Sequence, residues 1–225
     1  SYYSHTTRSK VKLIVIDMYS PYVSLIKKMF PNANIIIDKF HLVNLISTSL
    51  NKTRINIMKN DKKNYNKFKR YWKLILKDED DLDNTKWKKW RCFDNMMTQS
   101  DVVNYLINTN LKLKTTYEVY QNLLYALKHN NYNNLVTALN KKYDGLSEYM
   151  KTSIKTLKTY LPHIKNTLEN PYHNGFVEGN NNFIKVLKRI AFGFRSFRRF
   201  KARIMICKGL IKMKKNSQCI TALTT

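Results

Sequence analysis

Two carboxylates far apart in the chain stand where acid chemistry could be done. Asp17 closes VKLIVID, residues 11–17, and Glu178 sits inside HNGFVEGNNNFIKVLKR, residues 173–189. Hard divalent cations take oxygen ligands, and Mg²⁺ is commonly held by one or two carboxylates together with substrate phosphate oxygens. Asp17 and Glu178 could supply such a pair. If Glu178 starts a helical face, Asn181 and Asn182 lie one turn on, Lys185 two, and Lys188 and Arg189 three, so acid, amides and bases share a stripe. Asn174-Gly175 marks a turn or helix entry that puts Glu178 in the first turn, near the positive end of the helix dipole. Taken alone, Glu178 reads as a surface acid making an i, i+3 or i, i+4 contact. Its context argues for more, because twelve Lys or Arg and no acid follow it.

In that basic stretch FGFRSFRRF, residues 192–200, alternates Phe192, Phe194, Phe197 and Phe200 with Arg195, Arg198 and Arg199, and Lys201 and Arg203 follow. Cations interleaved with rings suit a phosphate backbone. Phe197, Phe200 and Ile204 are spaced as a buried helical face, a reading preferred to base stacking by Phe197 and Phe200. Asp38 and His41 stand three apart in IIIDKFH, where the histidine reads either as a structural group or as a ligand. His5, His129, His163 and His173 show no metal-ligand spacing. DEDDLD, residues 78–83, is the one acidic cluster and reads as a solvated loop rather than a metal site.

The elements that position these groups follow from periodicity. VKLIVID reads as a buried strand presenting Asp17 at its C-terminal end. Ser20-Pro21 offers a cap followed by proline at the first helical position, and Val23, Ile26 and Phe30 mark a helix face that Pro31 stops. A second strand, Asn34 to Asp38, completes a βαβ unit with parallel strands. Asp17 and Asp38 then share the C-terminal edge, where open α/β sheets place their sites. From about Phe40 to Leu161 the spacing is helical throughout: Leu42, Val43, Ile46 and Leu50 mark one helix, Tyr117, Tyr120, Leu124 and Leu127 another, and Leu146, Tyr149, Met150, Ile154 and Leu157 a third. Trp87 and Trp90 read as core residues of a helix, and Pro162 as the end of the block. The fold class is α/β and predominantly helical, with three parts: a βαβ part at 1–41, a helical insertion at 42–168 and a basic C-terminal part at 169–225.

Forty-one Lys and Arg against fifteen Asp and Glu give a formal charge of +26, which calls for a polyanionic partner. A hydrophobic content of 43% argues against a disordered basic tail. Cys92, Cys207 and Cys219 are scattered and odd in number, so neither a disulfide framework nor a cysteine zinc site is suggested, and a reducing cytoplasm is expected. No apolar run approaches the roughly 20 residues that span a bilayer, and no signal peptide is evident. No P-loop, dinucleotide fingerprint or GxSxG elbow is present.

Three segments in order resemble the DDE transposases of the ISL3 family of bacterial insertion sequences. They are VKLIVIDMYSPYVSLIKKMFPNANIIIDKFHLVN, the helical block with NTNLKLKTTYEVYQNLLYALK, and HNGFVEGNNNFIKVLKRIAFGFRSFRRFKARIM. The flanking motifs are long and specific, the middle looser, and the resemblance covers nearly the whole chain. It implies a ribonuclease-H-like catalytic fold interrupted by a helical insertion, a two-metal site for Mg²⁺ or Mn²⁺, DNA as partner, possible homo-oligomers, and a bacterial cytoplasmic, nucleoid-associated location. Asp17 matches the family's second catalytic aspartate and Glu178 its glutamate. Asp38, His41 and Asn182 are expected near the site, and Lys185, Lys188, Arg189, Arg195, Arg198, Arg199, Lys201 and Arg203 on the DNA. The first catalytic aspartate belongs on a strand upstream of Asp17, yet residues 1–16 hold no acid. The expectation is therefore a C-terminal portion of a transposase that binds DNA, does not cleave it alone, and leaves the VKLIVID strand with an unpaired edge; the alternative is a non-enzymatic DNA-binding remnant that competes with or pairs with full-length transposase.

Overall fold

The computed structural model describes residues 3–172 and 174–210, so His173 and the basic run beyond Leu210, with Cys219, lie outside the described residues. The chain divides into two compact units, one up to His173 and one from Asn174.

The first unit opens with a short helix α1 (His5–Ser9), strand β1 (Leu13–Ile16), helix α2 (Ser20–Met29) and strand β2 (Asn34–Ile37). β1 and β2 pair in parallel, Leu13 opposite Asn34 through to Ile16 opposite Ile37, as the two apolar runs required. Ile26 is buried, with Val23 and Phe30 packed against the core. Pro21 lies in the first turn, but Tyr19 occupies the cap position with an extended backbone and no side-chain cap bond, so Ser20 is already helical. Proline alone suffices here, because its missing N–H and fixed φ suit a first turn whatever precedes it.

Helices α3 (Lys39–Asn60), α4 (Tyr65–Ile75), α5 (Gln99–Ile107), α6 (Leu111–Lys128), α7 (Tyr132–Asn140), α8 (Glu148–Thr159) and α9 (Leu161–Glu169) complete the unit. α3 is central, packing on α4, α6 and α8 and burying Leu42, Ile46 and Leu50 at its expected period. Four hydroxyls tie it to α8: Ser49 Oγ lies 2.6 Å from Ser153 Oγ, and Thr53 Oγ1 donates to Ser147 Oγ at 2.8 Å. α9 packs on β2. Thr167 Oγ1 lies 2.9 Å from both the amide nitrogen and the carbonyl oxygen of Ile37, and Asn166 donates to the Ile35 carbonyl at 3.0 Å. These side chains satisfy the outer edge of β2, which would otherwise leave buried backbone groups unpaired. Among the described residues β1 has β2 as its one strand partner, so its far edge carries no strand.

Local expectations at Trp87, Trp90 and Pro162 are corrected. Trp87 and Trp90 are not helical: strand β3 (Lys88–Lys89) pairs antiparallel with β4 (Met96–Met97), Trp90 is buried, and Trp87 is exposed. The block from Phe40 to Leu161 is therefore not all helix. Pro162 starts α9 rather than ending the block, again because proline fits a first turn. DEDDLD holds a 3-10 turn, Glu79–Asp81, and Lys128 Nζ lies 2.7 Å from Asp78 and 3.8 Å from Asp81. Burial of Asp78 raises its pKa, but the hydrogen bond from Lys128 and an N–H from Asp80 outweigh this and leave it below the ordinary value.

The second unit holds α10 (Gly175–Ile190) and α11 (Phe197–Cys207). Phe183 and Leu187 lie on one face of α10, and the polar stripe that begins at Glu178 lies on the other. Among the described residues no helix is long and apolar enough to cross a membrane.

Candidate functional site

The parallel register decides which groups meet. Ile16 pairs with Ile37, so the next residues, Asp17 and Asp38, leave the sheet side by side at its C-terminal edge. The Asp38 amide donates to the Ile16 carbonyl at 2.9 Å and continues the ladder one step further. The Asp38 carboxylate caps α3 by accepting the Phe40 N–H at 3.0 Å. That cap begins the helix so that His41 falls in its first turn, over the strand ends. His41 Nε2 lies 2.9 Å from Asp17 Oδ1. An ionised carboxylate can only accept, so the histidine carries its proton on Nε2 in this contact.

Asp17, Asp38 and His41 each offer a ligand atom, and these atoms all lie within 4.8 Å of one another. Two carboxylates and an imidazole form a donor set that suits a divalent cation. Asp38 is almost wholly buried and occupied by its cap, whereas the Asp17 side chain is 55% exposed and open to a ligand from solution. Lys39, beside them, donates to Asn130 Oδ1 at 2.9 Å, and burial lowers its pKa.

In the second unit Glu178 lies in the first turn of α10, its N–H donating to the Asn174 carbonyl at 2.9 Å. Asn182, Lys185 and Arg189 follow at i+4, i+7 and i+11 on its face, all exposed. Lys188 also lies on α10, Arg195 in the turn after it, and Arg198, Arg199, Lys201 and Arg203 on α11. All eight bases are exposed, and among the described residues none forms an ion pair with an acid. Ser196 caps α11 by accepting the Arg199 N–H at 3.5 Å, which sets the helix start and the direction of its arginines. The expected buried face is corrected: Phe197 is 78% exposed, while Phe200 stacks on Phe194 with ring centroids 4.6 Å apart. As the first helical residue after the Ser196 cap, Phe197 points away from the seam that holds Phe200 and Ile204 half-buried.

The contact between His41 and Asp17 was missed in the sequence, although a signal for it existed. Aligning the ends of two parallel apolar runs places Asp17 beside Asp38, and a histidine one turn into the next helix returns over the same edge.

Residues 1–204 match the family model described as transposase, of the DDE type and ISL3 group. The chain belongs to the ISL3 family of DDE transposases. Asp17, Glu178 and the eight bases all fall within the matched residues. The transposase for insertion sequence element IS1001 of Bordetella parapertussis is 28% identical over 200 residues, covering 87% of this chain and 47% of that protein. A Lactococcus lactis subsp. lactis protein named ATP-dependent protease is 43% identical over 113 residues, covering 50% of this chain and 36% of that protein. The chain thus spans about half or less of the length of these curated relatives. No solved structure matches it.

Proposed function

We propose that this chain is part of the catalytic domain of an insertion-sequence transposase, serving DNA cleavage and strand transfer. The observation that carries this reading is the meeting of Asp17, Asp38 and His41 at the C-terminal sheet edge, within residues that match the family. The parallel β1–α2–β2 unit followed by helices supports a ribonuclease-H-like core that begins in residues 1–41, is interrupted by the helical block of 42–168, and resumes from 169 with the glutamate helix.

Asp17 in the first unit and Glu178 in the second are each proposed as an acid for Mg²⁺ or Mn²⁺, ions whose chemistry in transposases is to activate the attacking oxygen and stabilise the leaving one. His41 holds the Asp17 carboxylate in one orientation through Nε2–H, and Asp38 holds His41 in place by capping the helix that carries it. Lys185, Lys188 and Arg189, on the polar face of α10, and the arginines of α11 neutralise and position the phosphate backbone.

The test uses a complete transposase that carries this segment. Asp17→Ala and Glu178→Ala should each abolish cleavage of element-end DNA in Mg²⁺ while DNA binding persists, and wild-type cleavage by either variant rejects the assignment. A second reading is a DNA-binding protein without chemistry, favoured by the eight exposed and unpaired bases. It predicts DNA binding indifferent to Mg²⁺, and a complete transposase whose cleavage does not depend on Asp17.

A further inference from the structure

The turn between α10 and α11 presents a ring in an unusual way. Phe192 N–H donates to the Arg189 carbonyl at 3.1 Å, and Gly193 N–H donates to the Lys188 carbonyl at 2.9 Å. These two bonds are the Schellman closure of a helix, whose first residue past the cap adopts left-handed backbone and is usually glycine. Here that residue is Phe192, at φ +51°, and the glycine comes one place later at φ +101°. A bulky aromatic at positive φ is an outlier, and an outlier of this kind motivates a functional reading. The ring gains nothing from burial, because Phe192 is fully exposed. The turn around it is open: beyond the chain neighbours Phe192 and Phe194, no atom lies within 4 Å of where a Cβ on Gly193 would sit. Its two half-buried neighbours, Phe194 and Phe200, are occupied with each other.

The charges around the turn identify what could meet the ring. Lys188 and Arg189 precede it, Arg195, Arg198 and Arg199 follow, all are exposed, and no acid occurs after Glu178. A ring projecting from a wholly cationic turn matches a nucleic-acid surface, where cations take phosphates and an aromatic face takes an unstacked base. We propose that Phe192 stacks on an unstacked DNA base while the arginines beside it hold the adjoining phosphates. This rests on the DNA reading above and adds a base contact to the phosphate contacts proposed there for the eight cationic side chains.

The test compares the full chain with Phe192→Gly and Phe192→Trp on two short duplexes carrying 2-aminopurine, one fully paired and one with the 2-aminopurine in a single-nucleotide bulge. Glycine removes the ring and relieves the left-handed strain, so its melting temperature should not fall. Its affinity for the bulged duplex should drop about tenfold, with loss of the 2-aminopurine fluorescence change. The slope of affinity against salt should stay the same, because no phosphate contact is removed. Phe192→Trp should keep both affinity and fluorescence change. Wild-type affinity for the bulged duplex in Phe192→Gly overturns the inference and leaves the DNA reading standing. Loss of affinity in Phe192→Trp as well, or ring-dependent binding to anionic vesicles with DNA binding unchanged, also overturns it. Failure of the unaltered chain to bind either duplex at low salt overturns the DNA reading and this inference together.

Discussion

His41 Nε2 and Asp17 Oδ1 lie 2.9 Å apart although the two residues belong to different elements, the end of β1 and the first turn of α3. A contact of this kind orients a carboxylate before any ligand arrives. Partners that orient metal ligands typically change metal affinity by about 10- to 100-fold when removed.

Mn²⁺ binding followed by electron paramagnetic resonance should therefore weaken about tenfold in His41→Ala. His41→Gln, whose amide N–H can replace Nε2–H, should recover part of the loss, and Asp17→Asn should lose the most. Equal Mn²⁺ affinity in His41→Ala and the unaltered chain would show that the contact does not position Asp17.

Glu178 and the bases of α10 share a helix face but should separate by experiment. Replacing Lys185 or Arg189 with alanine should lower DNA affinity for all sequences alike and reduce the salt slope by about one each. Glu178→Gln removes a negative charge from a cationic face and should leave DNA affinity unchanged or raise it. A fall in affinity in Glu178→Gln would mean that the acid serves the DNA contact itself.

Thr167 closes the outer edge of β2 through one hydroxyl. Thr167→Val keeps the shape but leaves the buried Ile37 N–H without a partner, which should cost about 1–3 kcal/mol in urea unfolding. Thr167→Ser, which retains the hydroxyl, should cost less. A Val variant as stable as the parent would show that water or another group takes over the strand edge.

The capping box of α5 predicts an acid-sensitive helix. Thr98 Oγ1 accepts the Asp101 N–H at 3.1 Å, and Asp101 accepts the Thr98 N–H at 2.9 Å and its hydroxyl at 2.8 Å. The Thr98 backbone and hydroxyl bonds lower the Asp101 pKa below the ordinary value. Because the folded pKa is depressed, the stabilisation is fully present above the ordinary aspartate pKa and is lost as pH falls through the lowered one. Thr98→Ala should cost about 1 kcal/mol at neutral pH. Asp101→Asn should reduce the loss of stability on acidification, measured by urea unfolding from neutral pH downward. An acid limb of the same steepness in Asp101→Asn would place the sensitivity elsewhere.

Much of the frame is local and could be read along the chain. VKLIVID and NIIID are β-branched runs too short for helices, and their spacing leaves room for one crossover helix, so β1, α2 and β2 follow from periodicity. The face that buries Leu42, Ile46 and Leu50, and the position of Glu178 in a first turn after Asn174-Gly175, are likewise properties of sequence spacing. The family resemblance stands with the match over residues 1–204. Signals that fit two structures equally well could not be resolved this way. Trp87 and Trp90 stand three apart in a helix or across a two-residue strand, and β3 and β4 are too short to show alternation. Pro162 stops one helix as readily as it starts the next.

By itself the sequence determined the parallel unit, the acid at its edge and the unbroken cationic run after Glu178, because period, caps and charge are carried by neighbouring residues. Only the tertiary structure decided that His41 reaches Asp17, that Thr167 closes β2, and that Phe192 and Phe197 stand in solvent while Phe194 and Phe200 stack. Each of those outcomes depends on which side chain a second element brings alongside, and that is set by strand register and helix packing rather than by spacing along one segment.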